Sequence, residues 1–221
     1  MSSKSILFIS PNFPPKGGIG VQRPIAFVKG LKKAGYNPIV LTVSEDDIKQ
    51  TFGVIDNSRN SEIDELNLTI HRVSSGKRYA MMKRLMKLRI FRLIWIFNYH
   101  RYWDDFATWP KHAESIGLEI IKNNDIRVIY SCSGPFSAIE LAKNLKEKTG
   151  VIWISDLRDP LTEHFNIVWP TKWHWKWVRK LENKLYPKAD HTIVVTEEMR
   201  NIYSTRFKMD DSQISVTENG F

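Results

Sequence analysis

The chain contains 221 residues, of which 42% are hydrophobic and 12% aromatic, and its formal net charge is +9. This length and apolar content allow one globular unit with a sizeable core, and they argue against a disordered chain. The single cysteine, Cys132, excludes an internal disulfide framework. The apolar run at residues 6–9 is too short for a secretory signal, so we expect a cytoplasmic protein.

Short β-branched runs alternate with helical patterns along the chain. Runs with the length and composition of β-strands lie at residues 6–10, 38–43, 68–73, 128–133, 151–155, 191–196 and 214–217. Helical periodicity occupies residues 21–34, 114–123, 136–148 and 197–207. Strands that alternate with helices form βαβ units. The sequence therefore predicts an α/β fold, a Rossmann-like three-layer sandwich with a mainly parallel sheet.

A basic segment at residues 66–103 carries the whole net charge. It contains nine Lys or Arg and no Asp or Glu, while the rest of the chain balances 24 basic against 24 acidic residues. Apolar residues are interleaved with the charges, so the segment can lie on an anionic bilayer but should not cross it. We expect a basic helical insertion at about residues 75–110. Its predicted membrane-docking residues are Lys83, Arg84, Lys87 and Arg89.

A glycine-rich loop follows the first predicted strand. Residues 11–20 contain Gly17, Gly18 and Gly20, and Pro24 lies in the early turn of the helix behind them. Glycines let the backbone approach a ligand closely, and a helix N-terminus favours negative charge, so the loop is a candidate for phosphate or sugar contact. The spacing is neither GxGxxG nor a Walker loop. A plain Gly/Pro turn therefore stays open as the alternative.

The loop after the fourth predicted strand contains Ser133 and Gly134, which are candidate ligand contacts because ligands bind at the carboxyl ends of parallel strands. The alternative is that Ser133 or Ser137 caps the following helix, and we expect capping by at least one of them. Cys132 has no nearby His and no CxxC partner, so we expect a buried structural thiol.

The loop after the fifth predicted strand contains two carboxylates around a guanidinium, those of Asp156, Asp159 and Arg158. Such a group either positions a substrate hydroxyl or stabilises the loop through an internal ion pair. We favour the site interpretation, since the loop lies at a strand end. His164 follows, but a lone histidine carries little specificity.

A second basic and aromatic stretch occupies residues 169–180. On a helix, Trp169, Trp173 and Trp177 recur every fourth residue beside a basic stripe. Indole next to lysine suits a lipid headgroup layer, so Trp173 and Trp177 are predicted to dock on a membrane. The alternative is that the tryptophans pack into the core while the basic residues are solvated.

Together these features resemble the N-terminal half of a GT-B glycosyltransferase of family four, particularly the bacterial polysaccharide and lipopolysaccharide enzymes. The resemblance covers most of the chain and rests on residues 6–11, 14–18, 131–135, 156–160, 189–196 and 219–221. It implies sugar transfer from a nucleotide-sugar donor to a lipid-linked or saccharide acceptor, usually with retention and without a metal or cofactor. Many relatives carry a histidine in one of the strand-end loops, and no such residue can be matched here.

The resemblance also assigns roles to the loop residues. Arg158, Asp159 and Asp156 would border the reacting centre. The donor or acceptor would contact Gly17, Gly18, Ser133 and Gly134, while the basic aromatic segments would dock on an anionic membrane surface, at the inner face.

The resemblance makes residues 1–221 an N-terminal, acceptor-side domain, without the C-terminal nucleotide-sugar domain that follows an Asn-Gly-aromatic junction in relatives. We therefore expect weak donor binding and little turnover from this chain alone. Two alternatives stay open. A pI near 9.6 suits a nucleic-acid-binding protein, although we expect no nucleic-acid partner because the charge lies in one insertion. The other is a membrane-bound scaffold of the same fold without catalysis.

Overall fold

The computed structural model describes residues 4–50, 54–76, 104–163 and 169–219. The four predicted docking residues of the insertion, Lys83, Arg84, Lys87 and Arg89, lie outside these ranges, as does His164. In the described ranges no helix is long and apolar enough to cross a membrane.

Seven strands form one parallel sheet in the order β3-β2-β1-β4-β5-β6-β7. Their bounds are β1 Ser5–Ile9, β2 Asn37–Val43, β3 Thr69–Val73, β4 Val128–Cys132, β5 Ile152–Leu157, β6 His191–Val194 and β7 Ile214–Val216. The predicted strands and the parallel sheet are thus confirmed. Strand order reverses between β1 and β4, and in open α/β sheets this switch point is where ligands bind.

The described residues also form seven α-helices and three short 3-10 turns. The helices are α1 Gln22–Lys33, α2 Glu45–Gln50, α3 Asn60–Glu65, α4 Trp109–Asn123, α5 Ser137–Thr149, α6 Lys172–Leu185 and α7 Glu197–Phe207. The 3-10 turns are Ile19–Val21, Tyr186–Lys188 and Asp211–Gln213.

Apolar side chains cover both faces of the sheet. Along β1, Leu7 and Ile9 belong to one buried cluster while Ile6 and Phe8 belong to another, because successive side chains of a strand point to opposite faces. Helices α4 and α5 contribute to the first cluster and α1 to the second. Each buried Leu or Ile stabilises the fold by about 1.5–3 kcal/mol relative to exposure. The predicted three-layer sandwich is confirmed.

Two elements extend beyond their predicted ends. Strand β5 continues through Asp156 and Leu157 instead of ending at Ser155, because both residues still pair with the neighbouring strand β6. Helix α4 begins at Trp109, five residues before the predicted start, and its Pro110 occupies the first turn, where the missing N–H needs no partner. The Trp109 Nε1 donates to the carbonyl of Val73 at 3.1 Å. The last residues assigned to the insertion therefore belong to the core fold.

Candidate functional site

Three loops begin at the same level along the carboxyl edge of the sheet. Strands β1, β4 and β5 are neighbours, and their register pairs Ile9 with Ser131 and Ser131 with Ser155. The loops that follow these strands are the three in which the candidate site residues were predicted. The fold therefore places Gly18, Ser133 and Arg158 at one edge.

The glycine-rich loop is held by a short antiparallel pairing with residues 54–56. The Gly17 N–H donates to the Val54 carbonyl at 2.7 Å, and the Asp56 N–H donates to the Pro15 carbonyl at 2.8 Å. A Cβ at Gly17 would lie only 2.9 Å from the Cβ of Asp56. A side chain at position 17 would collide with Asp56, so this pairing itself requires a glycine there. The predicted close approach of a ligand is not needed to explain Gly17.

Gly18 is the residue of this loop with open space around it. Its φ is +94°, a conformation that side chains with a Cβ rarely adopt, and no atom lies within 4 Å of a Cβ built there. The 3-10 turn and α1 follow it without a side-chain cap or an acidic residue in the first turn. Gly18 is thus an exposed residue of the loop, with space beside its Cα.

Asn12 joins the first loop to the second. Its Nδ2 donates to the Gly134 carbonyl, and its Oδ1 accepts from the Lys16 Nζ at 2.5 Å. A Cβ at Gly20 would lie 3.1 Å from the same Nδ2. Sequence reasoning missed Asn12 and Lys16. The available signal was a polar amide three residues beyond a buried strand, at the predicted ligand edge.

Lys16 lies in a partly desolvated position. Its ammonium is 5.2 Å from the centroid of the Phe106 ring, a favourable cation–π distance. Burial lowers the pKa of Lys16, and the nearby carboxylates of Asp105 and Asp104 partly offset this effect. The glycine-rich loop therefore carries the positive charge of Lys16, which is stabilised by Phe106 and by the carboxylates of Asp105 and Asp104.

Asp104 caps helix α5 from a distant part of the chain. Its carboxylate accepts the Ser137 N–H and the Phe106 N–H, both at 2.8 Å. Burial raises the pKa of Asp104 to about 6, although these backbone donors oppose the shift. The predicted capping by Ser133 or Ser137 is wrong, since the helix has no cap from its own flanking side chains.

Ser133 instead supports the third loop. Its Oγ accepts the Arg158 N–H at 3.0 Å, while the Arg158 Nε donates to the Asp159 Oδ2 at 2.9 Å. The Arg158 Nη1 lies 3.8 Å from a Cβ built at Gly20, so the guanidinium leans toward the glycine-rich loop. Among the described residues, the two terminal nitrogens of Arg158 have no hydrogen-bond acceptor. The predicted internal ion pair of this loop is therefore confirmed, and the site role of Arg158 and Asp159 stays a prediction.

Asp156 lies beneath the loop. It is fully buried and binds Arg23 through three hydrogen bonds of 2.7–3.1 Å, and its Oδ2 accepts from the Cys132 thiol at 3.3 Å. This placement removes Asp156 from contact with any ligand at the edge, because β5 carries it into the sheet. Burial and the Asp156 charge raise the pKa of Cys132 well above its usual value, and the predicted buried structural thiol is confirmed.

A buried carboxylate anchors the chain beyond Arg158. Glu182 on α6 is 1% exposed, accepts the Thr162 N–H at 3.1 Å and pairs with the Arg206 Nη2 at 2.6 Å. Trp175 donates through its Nε1 to the Thr162 carbonyl at 3.1 Å. The loop after β5 is therefore connected to α6 by these hydrogen bonds and to α7 by the Arg206 Nη1, which donates to the Thr162 Oγ1 at 3.0 Å.

The tryptophans of residues 169–177 have different environments. Trp173 is 59% exposed, whereas Trp169 and Trp177 pack against the small cluster of Leu161 and Val178. Trp169 precedes α6, so the predicted four-residue repeat on one helix holds only for the other two. The predicted packing of tryptophans is thus confirmed for Trp169 and Trp177, and membrane docking by Trp173 and Trp177 stays a prediction.

The family model of Glycosyltransferase Family 4 matches residues 23–221. No curated protein sequence matches the chain significantly. A solved glycosyltransferase from Rickettsia africae ESF-5 has a TM-score of 0.54 and 17% identity, with 100% of this chain covered and 44% of that one.

Two further solved structures share this fold, and one of them is named as an epimerase. The S. aureus MnaA–UDP complex has a TM-score of 0.51 and 13% identity, with 99% of this chain and 44% of that chain covered. A UDP-N-acetylglucosamine 2-epimerase has a TM-score of 0.52 and 10% identity, with 99% of this chain and 46% of that chain covered. The chain thus spans about half the length of the structures it matches, and at these identities they show the fold alone. Because the family model covers nearly all of the sequence, the chain belongs to glycosyltransferase family 4.

Proposed function

We propose that this chain is the acceptor-side domain of a glycosyltransferase. It transfers a sugar from a nucleotide-sugar donor to a lipid-linked or saccharide acceptor, with retention at the anomeric carbon and without a metal or cofactor. The observation that carries the proposal is the position of Arg158. Its guanidinium, with two terminal nitrogens free of acceptors among the described residues, leans toward the open Gly18 loop at the switch point of the sheet.

The loop residues have distinct roles in this proposal. Arg158 stabilises negative charge that develops on the departing diphosphate, and Asp159 and Ser133 orient it through its Nε and backbone N–H. Gly18 offers its backbone N–H to the donor. Gly134 borders the same space, with φ +83° and no atom within 4 Å of a built Cβ. Asp156 acts indirectly, since it is fully buried.

The test is sugar transfer by the full-length protein. Purified protein is incubated with a panel of nucleotide sugars and a lipid extract, and mass spectrometry measures the glycosylated product and the released nucleotide. We expect Arg158→Gln to lower kcat by about a hundredfold, the size typical of removing one donor that stabilises developing charge. Arg127→Gln is the matched control, because Arg127 is exposed in an ion pair at the opposite edge of the sheet. It should leave kcat unchanged.

Three outcomes would contradict the proposal. Full activity of Arg158→Gln would remove Arg158 from the reacting centre. Conversion of the donor into an epimer, with no glycosylated product, would assign the chemistry of the epimerases that share the fold. Robust transfer by the 221-residue chain alone would contradict its assignment as one domain of the enzyme.

We also propose that the domain is peripheral on an anionic membrane, where it meets a lipid-linked acceptor. Four exposed lysines recur every fourth residue on α6, namely Lys172, Lys176, Lys180 and Lys184. Like charges at this spacing repel, and Lys172 lies in the first turn, at the positive end of the helix dipole, where the helix has no acidic residue. An anionic surface would relieve this repulsion, and the exposed Trp173 would insert at headgroup level.

Vesicle co-sedimentation tests this docking. The protein is mixed with neutral vesicles or with vesicles that contain anionic lipid, and one variant set changes the four α6 lysines to Gln. A second set changes Lys83, Arg84, Lys87 and Arg89. Each lysine near an anionic surface contributes about 1 kcal/mol, so we expect the α6 set to weaken binding to anionic vesicles at least about tenfold.

The matched control removes the same charge elsewhere, by changing the exposed Lys33, Lys49, Lys111 and Lys122 to Gln. It should weaken binding much less than the α6 set does. Equal binding to neutral and anionic vesicles would contradict electrostatic docking. A salt-sensitive shift of DNA at physiological ionic strength would favour the nucleic-acid alternative.

A further inference from the structure

Arg23 is a buried charge with hydrogen bonds to four other residues. Its Nε and Nη2 donate to Asp156, and its Nη1 donates to the carbonyls of Thr217 and Glu218 at 3.0 and 3.3 Å and to the Asn219 Oδ1 at 3.1 Å. The side chain is only 6% exposed. Each of the three guanidinium nitrogens therefore has at least one acceptor.

These acceptors belong to different parts of the site. Arg23 lies in the first turn of α1, directly behind the glycine-rich loop. Asp156 lies on β5, two residues before Arg158 of the following loop, and residues 217–219 follow β7. The Thr217 N–H donates to the Val194 carbonyl at 2.8 Å, which keeps this last segment beside the sheet. One guanidinium thus joins three segments that are far apart in sequence.

Stability alone gives no reason for this arrangement. Desolvation of two charges offsets most of their attraction, so a buried ion pair is often no more stabilising than apolar residues of similar volume. A planar guanidinium fixes the directions of its hydrogen bonds. In Arg23, two nitrogens bind the Asp156 carboxylate side-on, and the third donates to residues 217–219. The ring of Phe27, 4.9 Å from the guanidinium carbon, further limits its orientation. The bonding pattern therefore favours a geometric role.

We propose that Arg23 is a positioning residue of this site, which holds the α1 end of the glycine-rich loop, the base of the Arg158 loop and residues 217–219 in one relative geometry. Arg23 itself does not touch the substrate, because its donors already face protein acceptors. This proposal rests on the proposed sugar transfer for its kinetic readout, and its structural readout is independent of any activity.

The experiment compares three variants of the full-length protein by hydrogen exchange and by steady-state kinetics. Arg23→Lys keeps the charge but cannot bind Asp156 and residues 217–219 at once. Asn219→Ala removes one acceptor at an exposed position, so it should not affect folding. Arg206→Lys is the matched control, since Arg206 is 9% exposed in a pair with the buried Glu182 and does not contact residues 217–219.

We expect Arg23→Lys to accelerate exchange in peptides that cover residues 214–219 by about tenfold, and Asn219→Ala by a smaller factor, while β2 stays protected. Arg206→Lys should lower the melting temperature without this local acceleration. In sugar transfer, Arg23→Lys should lower kcat by about tenfold and change the donor KM by less than about threefold, as expected when orientation is lost but binding groups remain.

The proposal is overturned if Arg206→Lys accelerates exchange in residues 214–219 as much as Arg23→Lys does, because the effect would then be general destabilisation. It is also overturned if Arg23→Lys raises KM while kcat is unchanged, which would indicate direct ligand binding. If the wild-type protein transfers no sugar, the proposed function fails, whereas the exchange result still decides the role of Arg23.

Discussion

The two edges of the sheet each contain a pair between an aspartate and a cation, and the pairs differ in burial. At the carboxyl edge, Arg23 and Asp156 have side chains that are 6% and 0% exposed. At the amino edge, the Lys146 Nζ lies 2.6 Å from the Asp190 Oδ2, and these side chains are 25% and 43% exposed. The same chemical pairing therefore organises a buried junction at one edge and a surface contact at the other.

The difference in burial between the two ion pairs follows from the loops that connect strands and helices at each edge. At the amino edge the chain turns briefly, as at Gly150, whose left-handed φ of 72° ends α5 just before β5. Long loops with glycine, proline and polar residues meet at the carboxyl edge, where Asn12, Ser133 and Asp104 bond to distant backbone groups. Polar groups enclosed by such loops must find partners, because an unpaired buried polar group is costly. The carboxyl edge is consequently organised by specific polar contacts.

The largest effect should come from removing one side of the buried pair. Asp156→Ala leaves the Arg23 guanidinium buried without its carboxylate, so we expect the free energy of unfolding to fall by about 3–5 kcal/mol. Urea denaturation followed by circular dichroism measures this change. A loss below about 1 kcal/mol would show that the pair behaves like a surface contact and would remove the contrast between the edges.

The next effect concerns pH. A pKa that rises from 3.8 in the unfolded chain to about 6 in the folded protein favours the protonated Asp104 carboxyl in the fold. Its contribution, roughly 3 kcal/mol at most, is fully present below pH 4 and is lost as the pH rises to about 6. We expect stability relative to Asp104→Asn to fall across this range in urea titrations.

Asp64→Asn is the control for this pH dependence, because Asp64 is exposed on α3 and its replacement should not alter the slope. A difference between wild type and Asp104→Asn that stays constant from pH 4 to 6 would contradict the burial argument for Asp104.

A smaller effect is expected at the glycine-rich loop. Gly18→Ala meets no atom within 4 Å but must adopt a φ of +94°, so we expect a loss of about 1–2 kcal/mol from backbone strain. Gly30→Ala is the opposite case, since Gly30 lies inside α1 with the same open space and alanine favours helix by about 0.5–1 kcal/mol. Thermal melts of both variants compare the two, and equal stability of Gly18→Ala and wild type would refute the strain.

The smallest effect belongs to the amino edge. Lys146→Ala removes a half-exposed ion pair and a bond to the Lys188 carbonyl, so we expect a loss of less than about 1 kcal/mol. Donor binding, measured by calorimetry on the full-length protein, should be unchanged. A loss comparable to that of Asp156→Ala would mean that burial does not decide the strength of these pairs.

The strands were predictable because their signal is local. Runs such as those of β2 and β6 are rich in β-branched residues, and neighbouring residues in sequence decide their conformation. The candidate site was predictable only as a set of loops. Gly18 and Arg158 were proposed from residue type and position after a strand. The pairing of Gly17 with residues 54–56 and the bridge made by Asn12 depend on contacts between distant segments.

Asp104 and Asp156 show why the remaining roles could not be read from the chain. Asp104 replaces the predicted serine cap although 33 positions separate it from Ser137, and Asp156 pairs with Arg23 across 133 positions. A carboxylate looks the same in sequence whether it faces a substrate or a buried guanidinium. Its partner is decided only when the sheet brings the two segments together.

The sequence by itself determined the layer architecture, the family and the edge at which the candidate loops lie, because these depend on periodicity, residue type and order along the chain. The tertiary structure alone decided which candidates face outward. It leaves Gly18 exposed and Arg158 partly buried, and it buries Asp156 with Arg23, since burial and pairing are properties of segments in contact and not of single positions.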